Sequence, residues 1–119
     1  YLAPIDTSLD PDTEVKEVVC ITLDTFIQQA KLDRVEVIKI STEGNELAVL
    51  IGGEQILTTF APTIVYHNHA NRGIDLAAAQ YLLDLGYELF RYQPYLQELI
   101  PLTSKTDFAE VVKAIAIPK

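Results

Sequence analysis

Polar side chains follow two short segments rich in β-branched residues, and they are the residues whose types could do chemistry. After Arg34 to Ile40 comes Ser41-Thr42-Glu43-Gly44, which offers two hydroxyls, a carboxylate and a glycine. The second segment, Thr63 to Asn68, ends in the polar stretch His67-Asn68-His69. Because ligands of open α/β sheets bind beyond the carboxyl ends of the strands, we expect a site at these two places.

Both places also have simpler explanations. Ser41 or Thr42 could cap the following helix, with Glu43 in its first turn, as at ordinary helix starts. His67 and His69 are two residues apart, so on a strand they point to one face and could suit a metal. The sequence shows no third ligand, so a pair of hydrogen-bonded surface histidines is the simpler explanation, and we expect no metal. Spacing alone does not decide between helix capping, surface histidines and a substrate site.

The local motifs of several enzyme classes are absent from the sequence. It contains no GxSxG nucleophile turn, no GxxxxGK[ST] loop and no GxGxxG loop. The chain therefore carries neither the nucleophile of a serine hydrolase nor a loop that holds a pyrophosphate without help.

The spacing of the apolar residues predicts helices that alternate with strands. Predicted strands cover residues 15–21, 34–40, 63–68, 87–92 and 111–117, and predicted helices cover 23–30, 45–51, 54–60 and 74–85. Thr22 is the expected cap at the start of the first helix, and Gly86 the cap at the end of the last. This order favours an α/β sheet with parallel crossovers, in which the final pair of strands is antiparallel. Residues 1–14, with two prolines and no periodicity, are predicted to be an irregular lead-in to one domain at 15–119.

Composition excludes several classes of protein. A single cysteine, Cys20, rules out an intrachain disulfide, and no apolar run is long enough for a membrane span or a signal peptide, so we expect a cytoplasmic protein without a membrane partner. The net charge is -8, from 17 acidic and 9 basic residues, and the basic residues are scattered singly. Such a chain repels phosphate backbones, so we expect no nucleic-acid partner. The sequence has no methionine and opens on Tyr1, which predicts a piece of a longer protein.

Three segments of the sequence, taken together, resemble one protein family. They are Thr22-Leu23-Asp24, Ile38-Lys39-Ile40-Ser41-Thr42-Glu43-Gly44-Asn45-Glu46 and Val49-Leu50-Ile51-Gly52. This pattern resembles the second half of the FkbM methyltransferases, which shows T-L-D, then an apolar strand ending K-I-D-x-E-G-x-E, then a helix with V-L-x-G. The likeness continues at residues 62–66, 85–87 and 115–118, so it spans nearly the whole chain.

The resemblance implies the C-terminal portion of a Rossmann-like methyltransferase sheet, mostly parallel with an antiparallel final strand. It also implies S-adenosylmethionine as the cofactor of the intact protein, and a small-molecule or saccharide acceptor that is methylated on a hydroxyl group. The glycine-rich first strand and the acidic residue of the second strand, which hold the cofactor in this class, have no counterpart in the sequence. We therefore expect this segment alone to be inactive and not to bind the cofactor tightly.

The sequence departs from the family pattern at two positions. Ser41 stands where the family usually has Asp, and His67 stands where an acidic residue commonly ends the next strand. A histidine titrates near neutral pH and can replace a carboxylate as a base. Within the resemblance we assign Glu43 and His67 as catalytic candidates and Ser41 and Asn68 as substrate-binding candidates.

A second hypothesis gives the chain no catalysis. A methyltransferase sheet cut in its middle exposes the edge of a strand, and exposed edges recruit other chains. The alternative function is therefore a non-catalytic remnant that acts as a binding or assembly module and forms a homodimer through the exposed sheet edge.

Overall fold

The computed structural model describes residues 16–42, 44–67, 76–103 and 113–119. Its elements are, in chain order, α1 (Leu23–Ala30), β1 (Val37–Ile40), α2 (Glu46–Ile51), α3 (Glu54–Thr59), β2 (Thr63–His67), α4 (Leu76–Asp84), β3 (Tyr87–Gln93), β4 (Glu98–Pro101) and β5 (Lys113–Pro118). The chain is thus an α/β protein in which α1 precedes β1, α2 and α3 lie between β1 and β2, and α4 lies between β2 and β3.

The described strands form one mixed sheet in the order β1-β2-β5-β3-β4. Only β1 and β2 pair in parallel, and the pairs β2–β5, β5–β3 and β3–β4 are antiparallel. The predicted antiparallel final strand is confirmed, whereas the predicted mostly parallel character is shown only for β1 and β2. The physical reason is the insertion of β5: β1, β2 and β3 run in one direction, but β5 lies between β2 and β3 and faces both with the opposite direction. This mixed sheet is compatible with part of a methyltransferase fold.

The core lies between one face of the sheet and the helices. Buried strand residues alternate, and the register aligns Ile64 of β2 with Ala116 of β5 and Ala116 with Leu89 of β3. Because side chains two apart on a strand share a face, these residues form a continuous apolar surface. The helices pack against it with residues that include Leu50, Leu57, Ala78, Ala79 and Leu82.

The T-L-D motif, Thr22 to Asp24, lies at the junction of α1 with α3. Thr22 begins α1 by accepting the N–H of Thr25 on its hydroxyl, at 3.1 Å, as predicted. Asp24 then reaches across to the start of α3, where its two carboxylate oxygens accept the N–H groups of Gln55 and Ile56, each at 3.1 Å. The T-L-D motif is therefore a capping device that starts one helix and holds the next.

The four predicted helices are confirmed, with bounds that differ by up to two residues. Gly86 follows α4 with φ +92°, a conformation that glycine adopts without strain, so the predicted helix end is confirmed. Among the helices that the structure describes, none has the length and apolar character that crossing a membrane requires.

Two predicted strands need correction. The strand predicted at 15–21 is wrong over its described part, residues 16–21, where only Val19 forms a single β-bridge. The strand predicted at 34–40 is shorter and begins at Val37. The hairpin strand β4 was not predicted, because the turn before it reverses the chain at Gln97 with φ +52° and contains no glycine. The predicted lead-in, residues 1–14, lies outside the described residues.

Candidate functional site

The carboxyl ends of β1 and β2 lie at the same edge of the sheet. The two strands are parallel neighbours, and the last pair in their register is Ile40 with Tyr66. Ser41 and His67 are the next residue of each strand, so the structure brings these two predicted site residues to neighbouring strand ends. This is the edge where open α/β sheets bind their ligands.

The predicted site residues are described unequally. Ser41 is exposed, and His67, the last residue of β2, is half-buried. Glu43 and Asn68, the other two predicted site residues, lie outside the described residues, as does His69 of the alternative metal pair. The catalytic role of Glu43 and the binding role of Asn68 therefore stay predictions.

Thr42 and Gly44 shape the turn that leads from β1 into α2. The Thr42 hydroxyl accepts the N–H of Asn45 at 3.2 Å. Gly44 has φ +115°, where a residue with a side chain would be strained. Asn45 is the cap residue of α2 and makes no side-chain hydrogen bond there. Thr42 therefore holds the turn before the helix, in partial agreement with the predicted capping.

Glu46 is a site residue that the sequence reasoning quoted within a motif and gave no role. It begins α2, its side chain is fully buried, and its carboxylate accepts the N–H of Gly44 at 3.1 Å. The signal that could have revealed it is a carboxylate in the first helical turn directly after a strand-end glycine. A buried carboxylate is costly unless hydrogen-bonded, so its presence at this place is informative.

Lys113 is the second residue that the sequence reasoning missed. It begins β5 and is paired with His67 in the antiparallel register of β2 and β5. Neighbouring side chains in such a pair stand on the same face of the sheet. The exposed Lys113 ammonium thus adds a positive charge beside the imidazole of His67 at this edge.

The described residues also contain one open groove of about 400 Å³, which lies elsewhere. It is lined by α1, α3 and the residues that follow them, including Asp24, Ile27, Ile56 and Phe60. Ser41 and His67 are not among its lining residues. Within the described ranges, no group of three His, Cys, Asp or Glu side chains is arranged to hold a metal ion.

Tyr81 of α4 carries a buried hydroxyl that has no hydrogen-bond partner within the described part of the chain. Burial raises the pKa of Tyr81, and the negative charges of Glu54 and Asp24 raise it further. A phenol with a raised pKa stays protonated at neutral pH, so Tyr81 is a poor candidate for a catalytic base.

The strand ends therefore carry a hydroxyl, an imidazole and an ammonium group. An imidazole accepts a proton near neutral pH, a serine hydroxyl both donates and accepts hydrogen bonds, and an ammonium group attracts negative charge. Together these groups can orient a hydroxyl-bearing acceptor and remove its proton.

The sequence of the chain matches a known protein family. No curated protein and no solved structure gives a significant match to the chain. The family model described as the methyltransferase FkbM domain matches residues 3–89, which is well over half of the 119 residues and includes β1, β2 and the turn between β1 and α2. The chain therefore belongs to the FkbM methyltransferase domain family.

Proposed function

We propose that this chain forms the acceptor side of an S-adenosylmethionine-dependent methyltransferase that methylates a hydroxyl group on a sugar or natural product. The observation that supports the proposal is the parallel pairing of β1 and β2, whose neighbouring carboxyl ends carry Ser41 and His67. Membership of the FkbM family supports methyl transfer as the reaction class.

His67 is the proposed base. Methyl transfer to a hydroxyl requires that the oxygen lose its proton, and an imidazole is a side chain that can accept it. Ser41, one residue beyond β1, positions the acceptor by hydrogen bonding. In the same proposal, Glu43 and Asn68 lie at this site, Glu43 as a second catalytic carboxylate and Asn68 as a polar positioner.

S-adenosylmethionine supplies the methyl group, carried on a sulfonium, in this class of enzyme. The groove lined by α1, α3 and the segments after them does not include Ser41 or His67. A cofactor site built from glycine-rich backbone also has no counterpart in the sequence. We therefore assign to these residues only the acceptor side, and we propose that the cofactor binds to the complete gene product.

Label transfer tests this function. The complete gene product is incubated with S-adenosylmethionine carrying a tritiated methyl group and with a panel of saccharides and hydroxylated natural products. We expect label on an acceptor hydroxyl, and we expect His67→Ala to lower kcat by about 10²- to 10⁴-fold, the usual contribution of a general base.

The chain offers a matched control in its other histidine. His69→Ala should leave the rate within about threefold of the unmodified protein, because the proposal gives His69 no part in the reaction and most substitutions away from a catalytic group have small effects. Equal activity of the His67→Ala variant, or loss of activity in His69→Ala alone, would remove His67 from the mechanism.

The assembly module remains a second candidate because of the position of β1. Among the described strands β1 ends the sheet on one side, and Val37 is 62% exposed there. A strand at the end of a sheet with an exposed apolar residue is a template for pairing with a second copy. Sedimentation at micromolar concentration tests this function: a dimer that Val37→Lys disrupts supports it, and a monomer contradicts it.

A further inference from the structure

Glu46 is a buried carboxylate that the proposed reaction does not use. Its side chain is 0% exposed, and among the described residues it is the charged side chain that is fully withdrawn from water. It stands at the first position of α2, directly after the turn that follows β1. A buried carboxylate is unfavourable unless its oxygens accept hydrogen bonds, so its contacts show what the fold gains from it.

The Glu46 carboxylate turns back toward the strand end. Its two oxygens lie 3.1 and 3.4 Å from the backbone nitrogen of Gly44, whose N–H donates to them. A hydrogen bond from a backbone N–H to a carboxylate is stronger than one between neutral groups. Gly44 also holds φ +115°, so this contact fixes a residue whose backbone would otherwise be free to adopt many conformations.

A second hydrogen bond holds the same turn from its other end. The Thr42 hydroxyl accepts the N–H of Asn45 at 3.2 Å. Thr42 and Gly44 are the two chain neighbours of Glu43, the predicted catalytic carboxylate, and Thr42 directly follows Ser41. The two contacts therefore hold the N–H groups of Gly44 and Asn45, which lie close to the strand end at Ser41.

We propose that Glu46 is a positioning residue, which fixes the backbone of Gly44 at the start of α2 and so orients the strand end at Ser41 in the proposed methyltransferase site. This role rests on the proposed function, but the contact itself does not. Glu46 is fully buried and acts through Gly44, whereas Ser41 is exposed at the strand end.

Amide hydrogen exchange on the 119-residue chain tests the contact without any enzymatic activity. In Glu46→Ala we expect the Gly44 and Asn45 amides to exchange at least tenfold faster, while the amides of α4 keep their protection. The amide oxygen of glutamine can still accept one hydrogen bond. In Glu46→Gln we therefore expect the Gly44 amide to exchange faster than in the unmodified chain and more slowly than in Glu46→Ala. Glu54→Ala, which removes an exposed carboxylate from the first turn of α3, is the control and should leave the Gly44 amide unchanged.

Kinetics of the complete gene product test the consequence. We expect Glu46→Ala to lower kcat at least tenfold with less than a threefold change in the KM for S-adenosylmethionine, and Glu46→Gln to restore most of the loss. Unchanged Gly44 exchange in Glu46→Ala would overturn the proposal, and so would unchanged kcat.

Two further outcomes are decided by the same data. If Glu46→Ala does not fold, Glu46→Gln decides alone: faster Gly44 exchange in a folded protein supports the role, and wild-type exchange overturns it. If the unmodified gene product transfers no methyl group, the proposed function fails while the exchange data still decide whether Glu46 holds the turn.

Discussion

At the scale of single residues, Asp24 is the side chain whose contribution to stability the structure defines most clearly. Its carboxylate accepts the N–H groups of Gln55 and Ile56 and so supplies the cap that α3 lacks, because Gly53 at the cap position has no side chain. From the sequence, Asp24 was noted as part of the T-L-D motif. Its contact with α3 could not be foreseen, because Asp24 is 31 and 32 residues from its two partners along the chain.

Replacing Asp24 by alanine should lower the free energy of unfolding by about 1 kcal/mol, in the range of about 0.5–2 kcal/mol observed for lost helix caps. The measurement is urea denaturation of the 119-residue chain. Asp33→Ala, which removes an exposed aspartate, is the control and should change the stability by less than about 0.5 kcal/mol. Equal stability of the two variants would show that the Asp24 carboxylate does not cap α3.

Tyr87 gives a prediction on pH. Its buried hydroxyl donates to the carbonyl of Pro62 at 2.8 Å, and burial raises the pKa of Tyr87 above its ordinary value of 10.0. Between the unfolded and the folded pKa, the unfolded chain loses a proton that the folded chain keeps. The contribution of the protonated Tyr87 hydroxyl to stability is therefore fully present below about pH 10. The free energy of unfolding should fall as the pH rises above that value.

Denaturation of the unmodified chain and of Tyr87→Phe from pH 8 to pH 11 measures this effect. Tyr87→Phe should be less stable at pH 8, by about 1–3 kcal/mol, because the Pro62 carbonyl is left without its donor. Its stability should then depend less steeply on pH above 10 than that of the unmodified chain. Tyr95→Phe, at a residue that is 96% exposed, should keep the original pH dependence. Parallel curves for all three proteins would contradict the assignment.

The site itself was only partly predictable at this scale. Ser41 and His67 were predicted because polar residues that follow β-rich segments mark strand ends, and the structure has them at the ends of the neighbouring parallel strands β1 and β2. Glu46 and Lys113 were missed for different reasons. Glu46 resembled an ordinary acidic residue of a helix start, and Lys113 comes near His67 only through the register of β2 with β5.

At the scale of elements, the close approach of α1 to the turn between α2 and α3 defines the packing. A Cβ atom added at Gly53 would lie 3.1 Å from Cδ1 and 3.3 Å from Cβ of Leu23, and one added at Gly52 would lie 3.3 Å from Cβ of Thr22. At these distances the side chains of Leu23 and Thr22 would have to give way slightly to admit a methyl group. The glycine of the V-L-x-G motif and its neighbour therefore serve close packing between helices.

Gly53→Ala should lower the free energy of unfolding by about 1–3 kcal/mol, the usual cost of overpacking. A double-mutant cycle with Leu23→Ala checks the cause, because shortening Leu23 removes one of the two close contacts. We expect the double variant to lose less stability than the sum of the single variants. Additive losses would mean that the clash with Leu23 is not the source of the effect.

Helices were predicted better than strands, and the reason is physical. The apolar spacing of a helix is a local property, so α1 to α4 were found with nearly their true bounds. A strand depends on its partner as much as on its residues. Residues 16–21 are rich in β-branched side chains yet form only a single bridge at Val19, whereas β4 forms beside β3 through a turn without glycine.

At the scale of the whole molecule, the order β1-β2-β5-β3-β4 connects the sheet to the site. The carboxyl ends of the parallel strands β1 and β2 carry Ser41 and His67. Lys113, at the start of β5, is paired with His67. Sequence order alone could not predict this arrangement, because the last strand enters the sheet between two earlier ones. The family match to residues 3–89 includes the ends of β1 and β2, but not β5.

The central claim is that this chain provides the acceptor side of an S-adenosylmethionine-dependent methyltransferase. Calorimetric titration of S-adenosylmethionine into the 119-residue chain and into the complete gene product tests it most directly. The account predicts saturable binding by the complete gene product and at least tenfold weaker binding by the 119-residue chain. Absence of binding by the complete gene product would contradict the claim and favour the assembly module.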